Sequence, residues 1–232
     1  MSISSTVKAY ASLPLDETTL ARLDIIGTRL KSENKKYNLT ALTGDEEIAL
    51  KHFVDCMQLF KAVSFAKKTV LDVGCGGGFP ALVIAALEKS ASVAALDSSA
   101  KKLSFVAETA LAAGLDNVSV LCGRAEELVN GRRETFDVAV SRGVSRLNIL
   151  CELCLPYVKT GGLFIAMKGA AAQEETQEAQ TAIRVLGGVL VEIRPTPIPL
   201  GGQSHCLVVI EKRFKTSELY PRPYPKMLAK PL

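Results

Sequence analysis

From Thr69 onward, short apolar runs alternate with helical stretches. TVLDV precedes PALVIAALE, SVAALD precedes AKKLSFVAETALAA, VSVLC precedes AEELV, and FDVAVS precedes RLNILCELCLPYV. GLFIAMK then precedes an acidic-to-basic helix ending near Leu186. Parallel strands need a crossover between them, so this alternation predicts an α/β fold with a parallel sheet covered on both faces. Two last runs, GGVLVEIRPTPI and CLVVIEKR, have no helix between them and predict an antiparallel hairpin at or near the sheet edge. The expected architecture is a Rossmann-like seven-stranded sheet, mostly parallel, ending in that hairpin. Before it, Leu20, Leu23, Ile26 and Leu30 recur at helical spacing, and Asp45 is placed to cap a second helix through Ile48, Phe53 and Leu59. The chain divides as a helical N-terminal extension (1–62), a core (63–213) and a basic, Pro-rich C-terminal arm (214–232). YPRPYPKMLAKPL predicts that the arm is extended and lies on the surface.

The loop after the first strand, in VLDVGCGGGFP, carries the chemistry. In an open α/β sheet ligands sit beyond the carboxyl ends of the strands, where strand order reverses. Glycines there let backbone approach a ligand closely, and Pro80 suits the first turn of the next helix. Gly76, Gly78 and Ala81 satisfy the dinucleotide pattern Gly-x-Gly-x-x-Gly/Ala, so spacing alone leaves that class open. Asp72, two residues before Gly74, disfavours an anionic pyrophosphate and favours a ligand with an amino group and a sulfonium, S-adenosylmethionine. DVGCGGG resembles the first motif of the class I methyltransferases. Asp97 ends the second strand and is placed to accept ribose hydroxyls, with Ser98 beside it. It can alternatively cap the helix beginning at Ala100. After the third strand, Ala125 and Glu126 are placed to read an adenine edge, Glu126 alternatively being a first-turn helix acid. The fourth strand ends at Arg142. No cysteine, amide or aromatic clamp stands there for an acceptor that needs activation.

Composition restricts the setting. At 232 residues, with 48% hydrophobic and 22% charged residues, the chain reads as an ordinary globular protein. MSISSTVKAYASLPLDE lacks a basic start and a long apolar core, and no run approaches membrane-spanning length. A cytoplasmic protein with no membrane contact is therefore expected. Its six cysteines are expected as reduced, buried thiols. Cys151-Glu-Leu-Cys154 has the spacing of a zinc or redox pair, but with no second pair and only His52 and His205 in the chain, no metal site is expected. Positive charge gathers at two places. Arg29, Lys31, Lys35 and Lys36 form one cluster; Lys212, Arg213, Lys215, Arg222, Lys226 and Lys230, against Glu218 alone, form the other. Two such patches are either solvated faces or the footprint of a polyanion, nucleic acid above all.

Nine segments in order carry a closer resemblance: NKKYNLTAL, KHFVDCM, LDVGCGGGFPALVIA, LDSSAKKLSFV, GRAEEL, VSRGVSRL, GGLFIAMKG, LVVIEK and the closing YPR…KPL. The chain resembles the bacterial 16S rRNA guanine-N7 methyltransferases, once called glucose-inhibited division protein B. The resemblance implies S-adenosylmethionine-dependent methylation of a guanine in a conserved 16S rRNA loop near the decoding centre. Free rRNA, an assembly intermediate and the 30S subunit are all open as substrates, and a monomer is expected. Gly74, Phe79, Ala125, Glu126 and Arg142 fall on the family's cofactor contacts. Asn38, His52, Lys101, Lys168 and Arg222 fall in its other motifs and, with Lys226, are candidates for the RNA side. Three positions depart from the family pattern: Gly143 stands where alanine is usual, His205 where many members have arginine, and Lys101-Lys102 where Lys-Arg is usual.

Guanine N7 has an in-plane lone pair and no proton at neutral pH. The expected role of Arg142 is therefore positioning, with no general base. Two other functions fit parts of the pattern: a non-catalytic RNA-binding or assembly factor that keeps the fold, and an NAD(P)-dependent oxidoreductase. Asp72 and the lack of a hydride-transfer acid count against the latter.

Overall fold

The computed structural model describes residues 2–198 and 205–232. The chain opens with helices α1 (Ile3–Tyr10) and α2 (Glu17–Tyr37). Asp16 caps α2, its Oδ1 accepting from the Thr19 N–H at 2.6 Å. A continuous helical run follows: α3 (Asp45–Ile48), a π-helical stretch (Ala49–Val54), α4 (Asp55–Met57) and a 3-10 turn (Gln58–Lys61). Gly44, not Asp45, is its N-cap, and Asp45 instead pairs with Lys31. Helix α1 was not expected, being too short for its periodicity to stand out.

Seven strands form one sheet: β1 (Thr69–Val73), β2 (Ser92–Asp97), β3 (Val118–Cys122), β4 (Phe136–Arg142), β5 (Val158–Lys168), β6 (Gly188–Pro195) and β7 (Cys206–Lys212). The order is β3-β2-β1-β4-β5-β7-β6. β1 to β5 run parallel, while β7 pairs antiparallel with both β5 and β6, so the predicted hairpin closes the sheet with β6 at its edge. The crossovers are α5 (Ala81–Leu87), α6 (Ala100–Ala112), α7 (Ala125–Leu128), α8 (Leu147–Cys154), and α9 (Ala172–Glu178) with α10 (Gln180–Val185). From β1 the chain winds one way through β2 and β3, then returns to β4 on the other side of β1. The crevice for a ligand therefore opens above the carboxyl ends of β1 and β4.

Side-chain alternation along β1 assigns the two cores. Val70 joins Leu82 and Phe105 with Leu23, Ile26, Leu30 and Phe53 of the N-terminal helices. Leu71 joins Leu150, Cys151 and Tyr157 on the other face. The N-terminal helices thus contribute to the same core as the sheet, which fixes their side chains relative to the strand tips. Cys151 and Cys154 lie wholly inside α8, where burial pushes their thiols above the ordinary range. Among the described residues no group of three or more His, Cys, Asp or Glu gathers that could hold a metal ion, and no helix is long and apolar enough to cross a membrane.

The C-terminal segment differs from the extended, solvated arm read from its prolines. It contains helix α11 (Tyr224–Ala229), and Met227 is buried in the Leu71-side core. Two residues of the C-terminal basic cluster, Lys212 at the end of β7 and Arg222, are held by internal partners. Lys212 is fully buried, with Nζ donating to Leu155 O and Thr216 Oγ1, each at 2.6 Å. Arg222 forks onto the buried carboxylate of Glu152, Nη2–Oε2 at 2.6 Å and Nε–Oε1 at 2.8 Å. Proline fixes the local backbone but says nothing about tertiary partners, and Glu152 is far away in sequence.

Candidate active site

The crevice is a cleft of about 410 Å³ walled by the loops after β1, β2, β3 and β4. Gly74 and Gly76 come from the first, Asp97 and Ser98 from the second, Ala125 and Glu126 from the third, and Arg142 from the fourth. Gly76 has φ +55 and Gly143 φ +67; a Cβ on either would meet no atom within 4 Å. At both, the positive φ would strain most other residue types, and backbone is left bare to open space.

Asp97 organises the floor. Its Oδ2 accepts from the Gly76 N–H at 2.9 Å and its Oδ1 from the Ser99 N–H at 2.9 Å. Ser99, not Asp97, caps α6, accepting from the Lys102 N–H. The carboxylate therefore ties the glycine loop to the β2 tip with lone pairs still available in the cleft. Asp72 does not line the cleft. It is fully buried under the loop, with Oδ2 accepting from the Ala81 N–H at 3.0 Å and Oδ1 unpartnered. Burial raises its pKa to about 7 against the lowering effect of the Ala81 bond. The direct ligand contact expected of Asp72 is thus replaced by a support for the start of α5.

The opposite wall is built on Phe79, whose ring stacks on His52 with centroids 4.5 Å apart and planes 17° apart. His52 Nδ1 lies 2.8 Å from Arg142 Nη2, and its Nε2 lies 2.9 Å from Thr40 Oγ1. Arg142 Nη1 donates to Lys51 O at 2.9 Å and to Asp55 Oδ2 at 3.2 Å. His205 completes the network, with Nδ1 3.1 Å from Asp55 Oδ1. The chain's two histidines therefore converge on one Arg–Asp pair. His52 and Asp55 flank the junction of the π-helical stretch with α4, a local widening that often marks functional sites.

The residues expected on the RNA side separate. His52 enters the cleft. Lys101 is exposed at the start of α6, with Nζ 5.4 Å from the Tyr37 ring centre. Asn38 is exposed in a left-handed C-cap, and Lys226 is exposed on α11. Lys168 is held inside by Glu175 at 2.6 Å and Ser145 O at 2.7 Å. Arg222 is neutralised by Glu152, so neither it nor Lys168 presents a free charge. Asp55, Thr40, Arg124 and Tyr224 were not among the expected site residues, and Lys102 figured only as a departure from the family pattern. Lys102, Arg124 and Tyr224 line the cleft. Asp55 had a signal, since it follows His52 by three residues in KHFVDCM and so shares its helix face. Tyr224 had none, because only the fold of the C-terminal segment brings it to the β3 tip.

A family model described as rRNA small subunit methyltransferase G matches residues 20–197. The chain belongs to that family. A curated relative from Clostridium perfringens (strain 13 / Type A), "Ribosomal RNA small subunit methyltransferase G", is 44% identical over 206 residues, covering 88% of this chain and 86% of the relative. Among solved structures, the YcgJ protein of Bacillus subtilis superposes with TM-score 0.57 at 14% identity, covering 70% of this chain and all of that one (100%). TYW2 of M. jannaschii in complex with AdoMet gives TM-score 0.53 at 14% identity, over 68% of this chain and 76% of that one. At such identities the structures establish the class I methyltransferase fold. The family match covers every strand-tip loop that walls the cleft, while α11 lies beyond it.

Proposed function

We propose that this small-subunit rRNA methyltransferase G family member transfers a methyl group from S-adenosylmethionine to N7 of a guanine in 16S rRNA. The observation that carries the reading is the cleft itself: a glycine cradle, a ribose-competent carboxylate and a fixed guanidinium that occupies the lone pair of the neighbouring His52. Bound S-adenosylmethionine supplies an electrophilic methyl on a sulfonium, which the N7 lone pair displaces in line. Gly76 gives backbone room for the ligand and Gly74 lets the loop pack against Val144 beside it. Asp97 with Ser98 faces the ribose, and Ala125 with Glu126 faces the adenine. Phe79, stacked on His52, keeps water from that wall. Arg142 positions the acceptor side, held by three partners at once, so orientation supplies much of the rate.

His52 cannot take a proton while the network stands. A guanidinium only donates, so Nδ1 accepts from Arg142 and the ring proton sits on Nε2, donated to Thr40. An acceptor atom that carries no proton is the one this site suits. In an A-form helix N7 lies in a groove too deep and narrow for side chains, so an unpaired loop base is the natural target. Exposed Lys101, Lys226 and Asn38 are the RNA-side residues of this reading. A monomer acting in the cytoplasm, where ribosomal RNA is met, completes this reading.

Incubation with radiolabelled S-adenosylmethionine and either naked 16S rRNA or 30S subunits, followed by nucleoside analysis, tests the proposal. Labelled 7-methylguanosine is expected. Label in another nucleoside, or RNA binding with no transfer, would refute it, the latter in favour of an assembly factor.

A further inference from the structure

The C-terminal segment makes one contact that an RNA-binding arm has no use for: Tyr224 reaches the cleft at the β3 tip. There it sits beside Arg124, whose guanidinium carbon is 5.6 Å from the Tyr224 ring centre. Three anchors fix this placement. Arg222 forks onto Glu152, and its own backbone N–H also donates to Glu152 Oε1 at 2.7 Å. Arg133 donates to Tyr220 O. Met227 is buried among the side chains around Leu71. Glu152 and Leu153 are neighbours on α8, and Leu153 lines the cleft, so one helix both docks the segment and forms the wall beside it.

A fork of this kind is a poor phosphate ligand and a good anchor. The Glu152 carboxylate is 1% exposed, so releasing Arg222 to meet RNA would leave a buried charge uncompensated. We propose that Tyr224 belongs to the nucleoside site as a binding residue for the adenine of the cofactor, with Arg222 a positioning residue that holds it there. The inference rests on the cofactor reading of the cleft. An aromatic ring and a guanidinium plane at one strand tip form a stacking surface for a purine.

Calorimetric titration of the full chain with S-adenosylhomocysteine tests this without turnover. Tyr224→Ala should weaken binding by about five- to a hundredfold, the range of one base–aromatic stack. Tyr224→Phe, which keeps the ring, should bind like the wild type. Thermal melting of the ligand-free variants checks that the fold survives. If the alanine variant fails that check, Tyr224→Leu, which fills the volume without an aromatic face, replaces it with the same expectation. A folded variant lacking the ring that binds S-adenosylhomocysteine as tightly as wild type would overturn the assignment while leaving the cofactor reading intact. Absence of binding by the wild type would overturn both.

Discussion

His52 Nδ1 and Arg142 Nη2, 2.8 Å apart, fix each other's chemistry. The guanidinium can only donate, so the imidazole is neutral and its one lone pair is occupied. Burial first, and the Arg142 charge second, push the His52 pKa down to about 3. A histidine that looks like the natural base by residue type is thereby turned into a brace. His52→Gln should consequently leave the pH dependence of the chemical step unchanged, while reducing stability or substrate affinity. Heteronuclear NMR of the wild type should show a neutral His52 ring, protonated on Nε2, throughout the range above about pH 4.

The same shift predicts a stability profile. His52 has a folded pKa of about 3 against an ordinary 6.5, so between those values the unfolded chain binds the extra proton. Its contribution is complete above pH 6.5 and is lost as pH falls toward 3. Asp72 acts oppositely. With a folded pKa raised from 3.8 to about 7, it binds more proton when folded, and stability falls as pH rises through that window. Asp72→Asn removes the buried charge, so the variant should gain relative to wild type as pH rises from 5 to 8. Urea denaturation of both proteins at those two pH values measures it; a constant difference would refute the shift.

Arg142 is held by Lys51 O, Asp55 and His52 together, a pattern that needs a planar fork. Arg142→Lys keeps the charge and loses the fork. It should slow single-turnover transfer by about a hundredfold at saturating cofactor, the scale of an ångström of misplacement. Asp55→Asn should destabilise the protein by roughly 2–4 kcal/mol, because it strands the guanidinium at a pair whose acidic side is buried. Chemical denaturation gives the value.

Asp97→Ala should cost roughly 1.5–3 kcal/mol of S-adenosylhomocysteine affinity, by removing an acceptor for the ribose and for the Gly76 and Ser99 amides. Unchanged affinity by calorimetry would take Asp97 out of the site.

The strand–helix alternation, the glycine loop and the residues at the strand tips were legible because each is local, whereas the order of the strands came only from their pairing. Val70 and Leu71 alternate, Gly76 needs φ +55, and Asp97 ends an apolar run. The rest depended on contacts across the chain. Arg222 reads as a free cation until Glu152, 70 residues earlier, is known to face it. Asp72 reads as a ligand contact until the Ala81 amide claims its carboxyl. Charge is visible in a sequence; what neutralises it is not.

A cleft that positions an acceptor needing no deprotonation should leave transfer insensitive to pH. The most direct test is the single-turnover rate of methyl transfer to saturating 16S rRNA substrate, measured from about pH 6 to 8.5. A nearly flat profile is expected for the wild type and, at whatever reduced rate, for His52→Gln and Arg142→Lys. A rate rising about tenfold per pH unit through neutrality, and abolished by replacing His52 or one carboxylate of the cleft, would contradict it.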